Sequence, residues 1–303
     1  MKGRILRFRR CQVLQRRLAM EGKSVIIESM INKRKKIGEK KTSEKKISGQ
    51  SPTAKRPGIL LGMFQQMPVP AISRYLAQQG WDWLILDMQH GSFDYSTAYE
   101  CCHVARHSGS KPFVRVPIGD YSAIQRVLDL GAHGVVVPMV NSREEAEQAA
   151  HAAKYPPLGE RSRGGDAWYH FGDNYTENAN STTLLLLQIE HIKAVAMAEK
   201  ILAVDGVDGF LMGQVDLALS MGLSDTHFSE NREHQAAIQH TVDVCNSLGK
   251  LACYNAFSET EAQQRVRQGF RVITYQSDVD VFCESGRARR DALRRKLDLP
   301  ERA

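Results

Sequence analysis

The 303-residue chain has no apolar run approaching the ~18 residues of a membrane span. Its longest runs are stretches such as Leu184 to Leu187 and Val135 to Val140, which argues against an integral membrane protein. Its six cysteines form no CxxC pair and no zinc-like spacing. They read as reduced, mostly buried thiols of a cytoplasmic protein, with Cys101 and Cys102 on two faces of a buried helix. Lysine is scarce after residue 57: only Lys111, Lys154, Lys193, Lys200, Lys250 and Lys296 remain. Lys111 and Lys250 precede apolar runs and the others fall in helical stretches, so Schiff-base chemistry lacks its lysine. What the chain does have is ordinary globular composition, 42% hydrophobic and 25% charged.

The net charge of +7 is unevenly spread. Residues 1–57 carry 18 Lys and Arg against 4 Glu, a balance of +14, and residues 58–303 carry −7. The basic segment has too little apolar periodicity to order itself. Three readings fit it: a disordered tail or an overlong start preceding Met20 or Met30, a transit peptide, or a polyanion-binding arm. Nucleic acid is a partner only through this tail.

From Gly58 the character changes. Eight short apolar runs, near 59–64, 81–87, 112–116, 134–139, 183–189, 209–212, 251–254 and 271–275, alternate with amphipathic helical stretches. Near-continuous apolar strands alternating with helices indicate a parallel sheet covered by helices. Eight units in 246 residues predict a (β/α)₈ TIM barrel over 58–303. A doubly wound open sheet is the alternative, but no glycine-rich phosphate fingerprint follows the first strand. Residues 156–181 read as a long loop.

A barrel carries its chemistry at the carboxyl ends of its strands. Strand two runs into Asp87-Met88-Gln89-His90, strand three carries Arg115, strand five ends Gln188-Ile189-Glu190, and strand six leads to Gln214-Val215-Asp216. Period-two parity puts Gln188 and Glu190 on one side. Each has a structural reading as well. Asp216 and Glu190 can serve only the starts of helices, His90 can bond to loop backbone, and Arg115 can be an ion-pair partner. Around one mouth they form a site. Two carboxylates suit Mg²⁺, Mn²⁺ or a similar divalent ion with positions open to water and substrate.

These stretches resemble the HpcH/HpaI aldolase family, the metal-dependent pyruvate aldolases. The resemblance runs from about Gly58 to Arg289 through Trp81 to His90, Val114 to Pro117, Leu128 to Ala132, Val137 to Val140, Tyr155 to Arg161, Gln188 to Glu190 and Gly206 to Leu217. It implies the same barrel, assembled as homo-oligomers (hexamers) with helix exchange. It implies Glu190 and Asp216 as ligands of Mg²⁺, Mn²⁺ or Co²⁺, with Gln188 and the backbone near Val215 touching substrate. Arg115 would bind the keto acid and steady its enolate. His90 would be the base, acting through water, with Asp129 raising its basicity. Two departures stand out: Gln89 replaces the family's usual Glu, and Ser-Arg-Gly-Gly follows Arg161.

The reaction so implied is reversible aldol cleavage of a 4-hydroxy-2-oxo acid into pyruvate and an aldehyde. The alternatives are a citrate lyase or malyl-CoA lyase type of carbon–carbon lyase, and a non-catalytic barrel that binds keto acids.

Overall fold

The computed structural model describes residues 58–224 and 228–300, so the basic segment 1–57 lies outside the described residues. Eight parallel strands close into a barrel in chain order, as the alternation predicts. The first half comprises β1 (Leu60–Gln65), α1 (Pro70–Gln78), β2 (Trp83–Asp87), α2 (Tyr95–His107), β3 (Lys111–Arg115), α3 (Tyr121–Asp129), β4 (Gly134–Val137) and α4 (Arg143–Ala153). Next come α5 (Ala167–Phe171), α6 (Tyr175–Thr182), β5 (Leu184–Ile189), α7 (Ile192–Ala196), α8 (Ala198–Leu202), β6 (Gly209–Met212) and α9 (Gln214–Ser220). The chain closes with α10 (Arg232–Ser247), β7 (Leu251–Ala256), α11 (Glu259–Gln268), β8 (Val272–Ser277) and α12 (Asp278–Lys296).

Period-two alternation divides each strand between two cores. Leu60, Trp83, Ile85, Phe113, Leu184, Leu186 and Leu211 fill the barrel, while Leu86, Val114, Val135, Leu185 and Leu187 face the helices. Glycines make room for the largest interior rings. A Cβ on Gly62 would lie 1.8 Å from the Trp83 indole, and one on Gly134 would lie 2.3 Å from the Phe113 ring. Those two rings meet edge to face, 4.7 Å between centroids. The helices are started by side chains that accept the orphan amides of the first turn, in reciprocal pairs at Asp94/Thr97, Ser142/Glu145 and Ser277/Asp280. Each such cap contributes about 0.5–2 kcal/mol.

Three features depart from the pattern read in the sequence. Residues 156–181 are not a plain loop but carry α5 and most of α6, held by a small cluster of Tyr155, Ala167, Tyr175 and Ala179. The amphipathic stretch between β5 and β6 is not one helix but two, α7 and α8, divided at Met197. Finally, α9 starts at Gln214, so Asp216 lies inside its first turn rather than preceding the helix. The last helix, α12, covers little: of its 19 residues only Asp278 is buried, and Phe282 is 72% exposed. The vicinal thiols Cys101 and Cys102 are both buried on α2.

Candidate active site

The parity that fills the barrel interior continues beyond its apolar layers. Following Trp83 and Ile85, the next inward residue of β2 is Asp87; following Phe113, that of β3 is Arg115; following Leu184 and Leu186, those of β5 are Gln188 and Glu190. All four are buried. Side chains that would be ruinous in the middle of the barrel are therefore gathered at its carboxyl-end mouth.

Arg115 and Asp87 form a two-pronged ion pair. Nε donates to Oδ1 at 2.9 Å and Nη2 to Oδ2 at 2.6 Å, with the guanidinium 4.8 Å above the Phe64 ring. Asp87 Oδ1 also accepts the backbone N–H of Gln89 at 3.1 Å and of His90 at 3.2 Å. One carboxylate thus aims the arginine and shapes the loop that carries His90. Burial works against its ionisation, but Arg115's hydrogen bonds and charge and the His90 amide prevail, holding Asp87 below the usual carboxylate range. This role for Asp87 is absent from the roles drawn from the sequence. The signal was its parity with Trp83 and Ile85.

Glu190 is the opposite case. Its Oε1 accepts the Met139 amide at 2.6 Å and its Oε2 accepts Gln188 Nε2 at 2.6 Å. Met139 adopts φ +56 to present that amide, a left-handed conformation that a non-glycine residue takes at a cost of order 1–3 kcal/mol. Gly213 supplies the space above: a Cβ there would lie 2.5 Å from Glu190 Oε2. Burial, followed by the charge of Asp216, outweighs these hydrogen bonds and Arg115, raising the Glu190 carboxyl to about 7. Gln188 Oε1 is buried with no hydrogen-bond partner. A buried acid that resists ionisation, a nearby exposed Asp216 and an unused amide oxygen are a donor set that a hard divalent cation would complete. Among the described residues no group of three or more His, Cys, Asp or Glu is arranged for a metal, so such an ion would rely on two carboxylates, water and substrate.

His90 is exposed at the same mouth, and Val215 is half-buried in the first turn of α9, which has no side-chain cap. Asp129 is not with them. It is the last residue of α3, which returns from the carboxyl end of β3 to the amino end of β4, and its Oδ1 is held by Arg161 Nη2 at 2.7 Å. Within one chain it cannot partner His90. The fully buried lysine, Lys154, is also at the amino end, where Nζ donates to Thr183 O at 2.6 Å and pairs with Asp208 at 3.0 Å.

The fold and rim place the chain among (β/α)₈ enzymes, and comparison names the family. The model of the HpcH/HpaI aldolase/citrate lyase family matches residues 60–284, and the chain belongs to that family of carbon–carbon lyases. It is 33% identical over 223 residues to a hydroxypyruvate/pyruvate aldolase of Rhizorhabdus wittichii, covering 73% of this chain and 89% of that one. It is 34% identical over 233 residues to a 5-keto-4-deoxy-D-glucarate aldolase of Escherichia coli, covering 74% and 88%. The solved HpcH/HpaI aldolase from Desulfitobacterium hafniense DCB-2 superposes with a TM-score of 0.74 at 27% identity, covering 80% of this chain and 94% of that one. The chain is thus an enzyme, which sets aside the non-catalytic barrel. Among the described residues no helix is long and apolar enough to cross a membrane.

Proposed function

We propose that the protein catalyses the reversible, divalent-metal-dependent aldol cleavage of a 4-hydroxy-2-oxo acid to pyruvate and an aldehyde. The observation that carries this reading is the pairing, at one mouth, of the raised Glu190 carboxyl with an arginine whose fork is only partly used. Glu190 and Asp216 would hold the cation, which when bound supplies Lewis acidity at the 2-oxo group. The chain's own residues do the rest. Arg115 Nη1 has no hydrogen-bond partner among the described residues, which leaves it to serve the acid's carboxylate and the enolate oxygen. His90, through water, takes the proton of the 4-hydroxyl; the C3–C4 bond breaks, the aldehyde leaves, and its electron pair becomes the enolate. Return of a proton to C3 gives pyruvate. Gln188, whose Oε1 has no hydrogen-bond partner among the described residues, stands beside the cation site to contact it or the substrate, and the α9 backbone near Val215 borders the same space.

We assign the protein to homo-oligomers because the largely exposed α12 leaves Phe282 and Leu293 uncovered among the described residues. In such an assembly the expected pairing of Asp129 with His90 would join two copies. Pyruvate offered with a panel of hydroxylated and apolar aldehydes, with Mg²⁺, Mn²⁺ or Co²⁺, is the direct test. Metal-dependent formation of a 4-hydroxy-2-oxo acid is expected. Full activity after exhaustive chelation, or borohydride trapping of a pyruvate adduct on the protein, would overturn the assignment.

A further inference from the structure

A second cluster of charged side chains lies at the other end of the barrel, beyond the reach of the rim. On α2, Tyr99, His103, Arg106 and His107 follow one another at positions i, i+4, i+7 and i+8, so they share a face. That face meets Asp166, Tyr169 and His170 across a cavity of about 380 Å³. This lies within the range of small-ligand pockets, roughly 300–1,000 Å³. The rings are close: His103 is 4.2 Å from His107 and 5.4 Å from His170, centroid to centroid.

Arg106 is the unusual member. Its Nε, Nη1 and Nη2 are all buried and none has a hydrogen-bond partner among the described residues. It rests 4.2 Å over the Phe171 ring, a contact worth about 2 kcal/mol when desolvated. Removing a cation from water costs several kcal/mol, so the ring does not compensate it. Gly131, at φ +90, permits the close approach: a Cβ there would lie 3.2 Å from both Nη atoms and 2.7 Å from His170. His133 adds no counter-charge. Burial, then the charges of Arg106 and Lys111, drives its pKa down to about 3, so it is neutral. Among the described residues, Asp166 is the single carboxylate on the wall. His103 and His170 are both held below the usual histidine range, chiefly by burial and further by neighbouring positive groups including Arg106. The cavity therefore carries unmet positive potential and a set of N–H and O–H donors. Three clustered imidazoles also invite a metal ion, but an unpaired guanidinium repels one, and no metal-type cluster occurs among the described residues.

We propose that this cavity is a binding site for a small oxyanion, the terminal phosphate or carboxylate group of a metabolite, held by His103, His107 and His170 in front of the half-buried Arg106. Within one chain it lies at the opposite end of the barrel from the rim, so it is a second site. Binding draws protons onto the imidazoles, because an anion beside them favours their charged form. Affinity is therefore higher at pH 6 than at pH 8.

Calorimetric titration of the full-length protein with inorganic phosphate and, separately, with malonate tests this. Saturable binding of at least one probe is expected at pH 6, with buffer-dependent heats that report proton uptake, and weaker binding at pH 8. A preference for phosphate or for malonate identifies which group the site takes. Losing one charge-assisted hydrogen bond corresponds to about 10–100-fold in affinity. That loss is expected for the double variant His103→Ala/His107→Ala, whose two positions are exposed and do not endanger folding. A smaller one is expected for Arg106→Gln, whose buried nitrogens act on the anion by charge and not by a direct hydrogen bond. Arg115→Met, which abolishes any probe binding at the rim, should leave the binding at this cavity in place. No saturable binding of either probe to the wild type at pH 6 would overturn the proposal. So would undiminished binding in the histidine double variant, or binding lost only in Arg115→Met.

Discussion

The two ends of the barrel bury charge in different ways. At the amino end, Lys154 and Asp208 use each other and the surrounding backbone: Lys154 Nζ reaches Thr183 O and Asp208, and Asp208 Oδ2 also accepts the Leu185 amide at 2.8 Å. That network is closed. At the carboxyl end, Glu190 is held by two donors yet remains hard to ionise, Gln188 Oε1 has no partner, and Arg115 keeps one arm free. That network has unused bonding capacity, which the proposed cation and substrate would take up. Burial of charge alone does not mark a site; burial with unfilled bonding capacity does.

The largest effect should come from breaking the closed network. Lys154→Met leaves Asp208 as a buried charge without its partner and should lower stability by about 3–5 kcal/mol in urea unfolding. The fraction that remains folded should turn over at close to the wild-type rate, since Lys154 is remote from the rim. Arg115→Lys is the converse. It keeps the charge but loses the planar fork set by Asp87, so turnover should fall about 10²–10³-fold.

A pH series sharpens the contrast further. Glu190 titrates near 7 when folded and near 4.5 as a free carboxyl, so the folded metal-free protein binds the extra proton. Stability from this group is therefore present at low pH and declines as pH rises from about 4.5 to 7, by about 3 kcal/mol in total. Urea midpoints of chelated protein across that window should show the decline, and Glu190→Gln should remove it. Over the same range the apparent affinity for a divalent cation should rise about tenfold per pH unit, because cation and proton compete for one carboxylate. The smallest effect concerns the basic segment: starting the chain near Ala54 should leave folding and turnover unchanged, as read by circular dichroism and assay.

The barrel was legible because its strands are apolar on both faces and separated by helices of full length. Gln188 and Glu190 were legible for the same reason, since alternation through β5 must put them together. Asp87 obeys that rule too and was passed over only because it reads as the polar end of a strand. Other features had no local signal. Met139 takes a left-handed backbone because Glu190 needs its amide, a demand that exists only after β4 and β5 are adjacent. The helices α5 and α6 are too short for periodicity to reveal and depend on Tyr155, outside both of them. Asp129 is the last residue of α3, which the barrel topology delivers to the end opposite His90 of the same chain. Its expected role with His90 therefore belongs to an assembly, which one chain's sequence pattern does not display.

Exchange of the pyruvate methyl protons with deuterated water tests the open rim most directly, because it needs no aldehyde. Wild-type protein with Mg²⁺, Mn²⁺ or Co²⁺ should catalyse the exchange, Glu190→Gln and Arg115→Lys should lose most of it, and folded Lys154→Met should retain it. Exchange at the wild-type rate in Glu190→Gln, or in exhaustively chelated protein, would contradict the assignment of the chemistry to this rim.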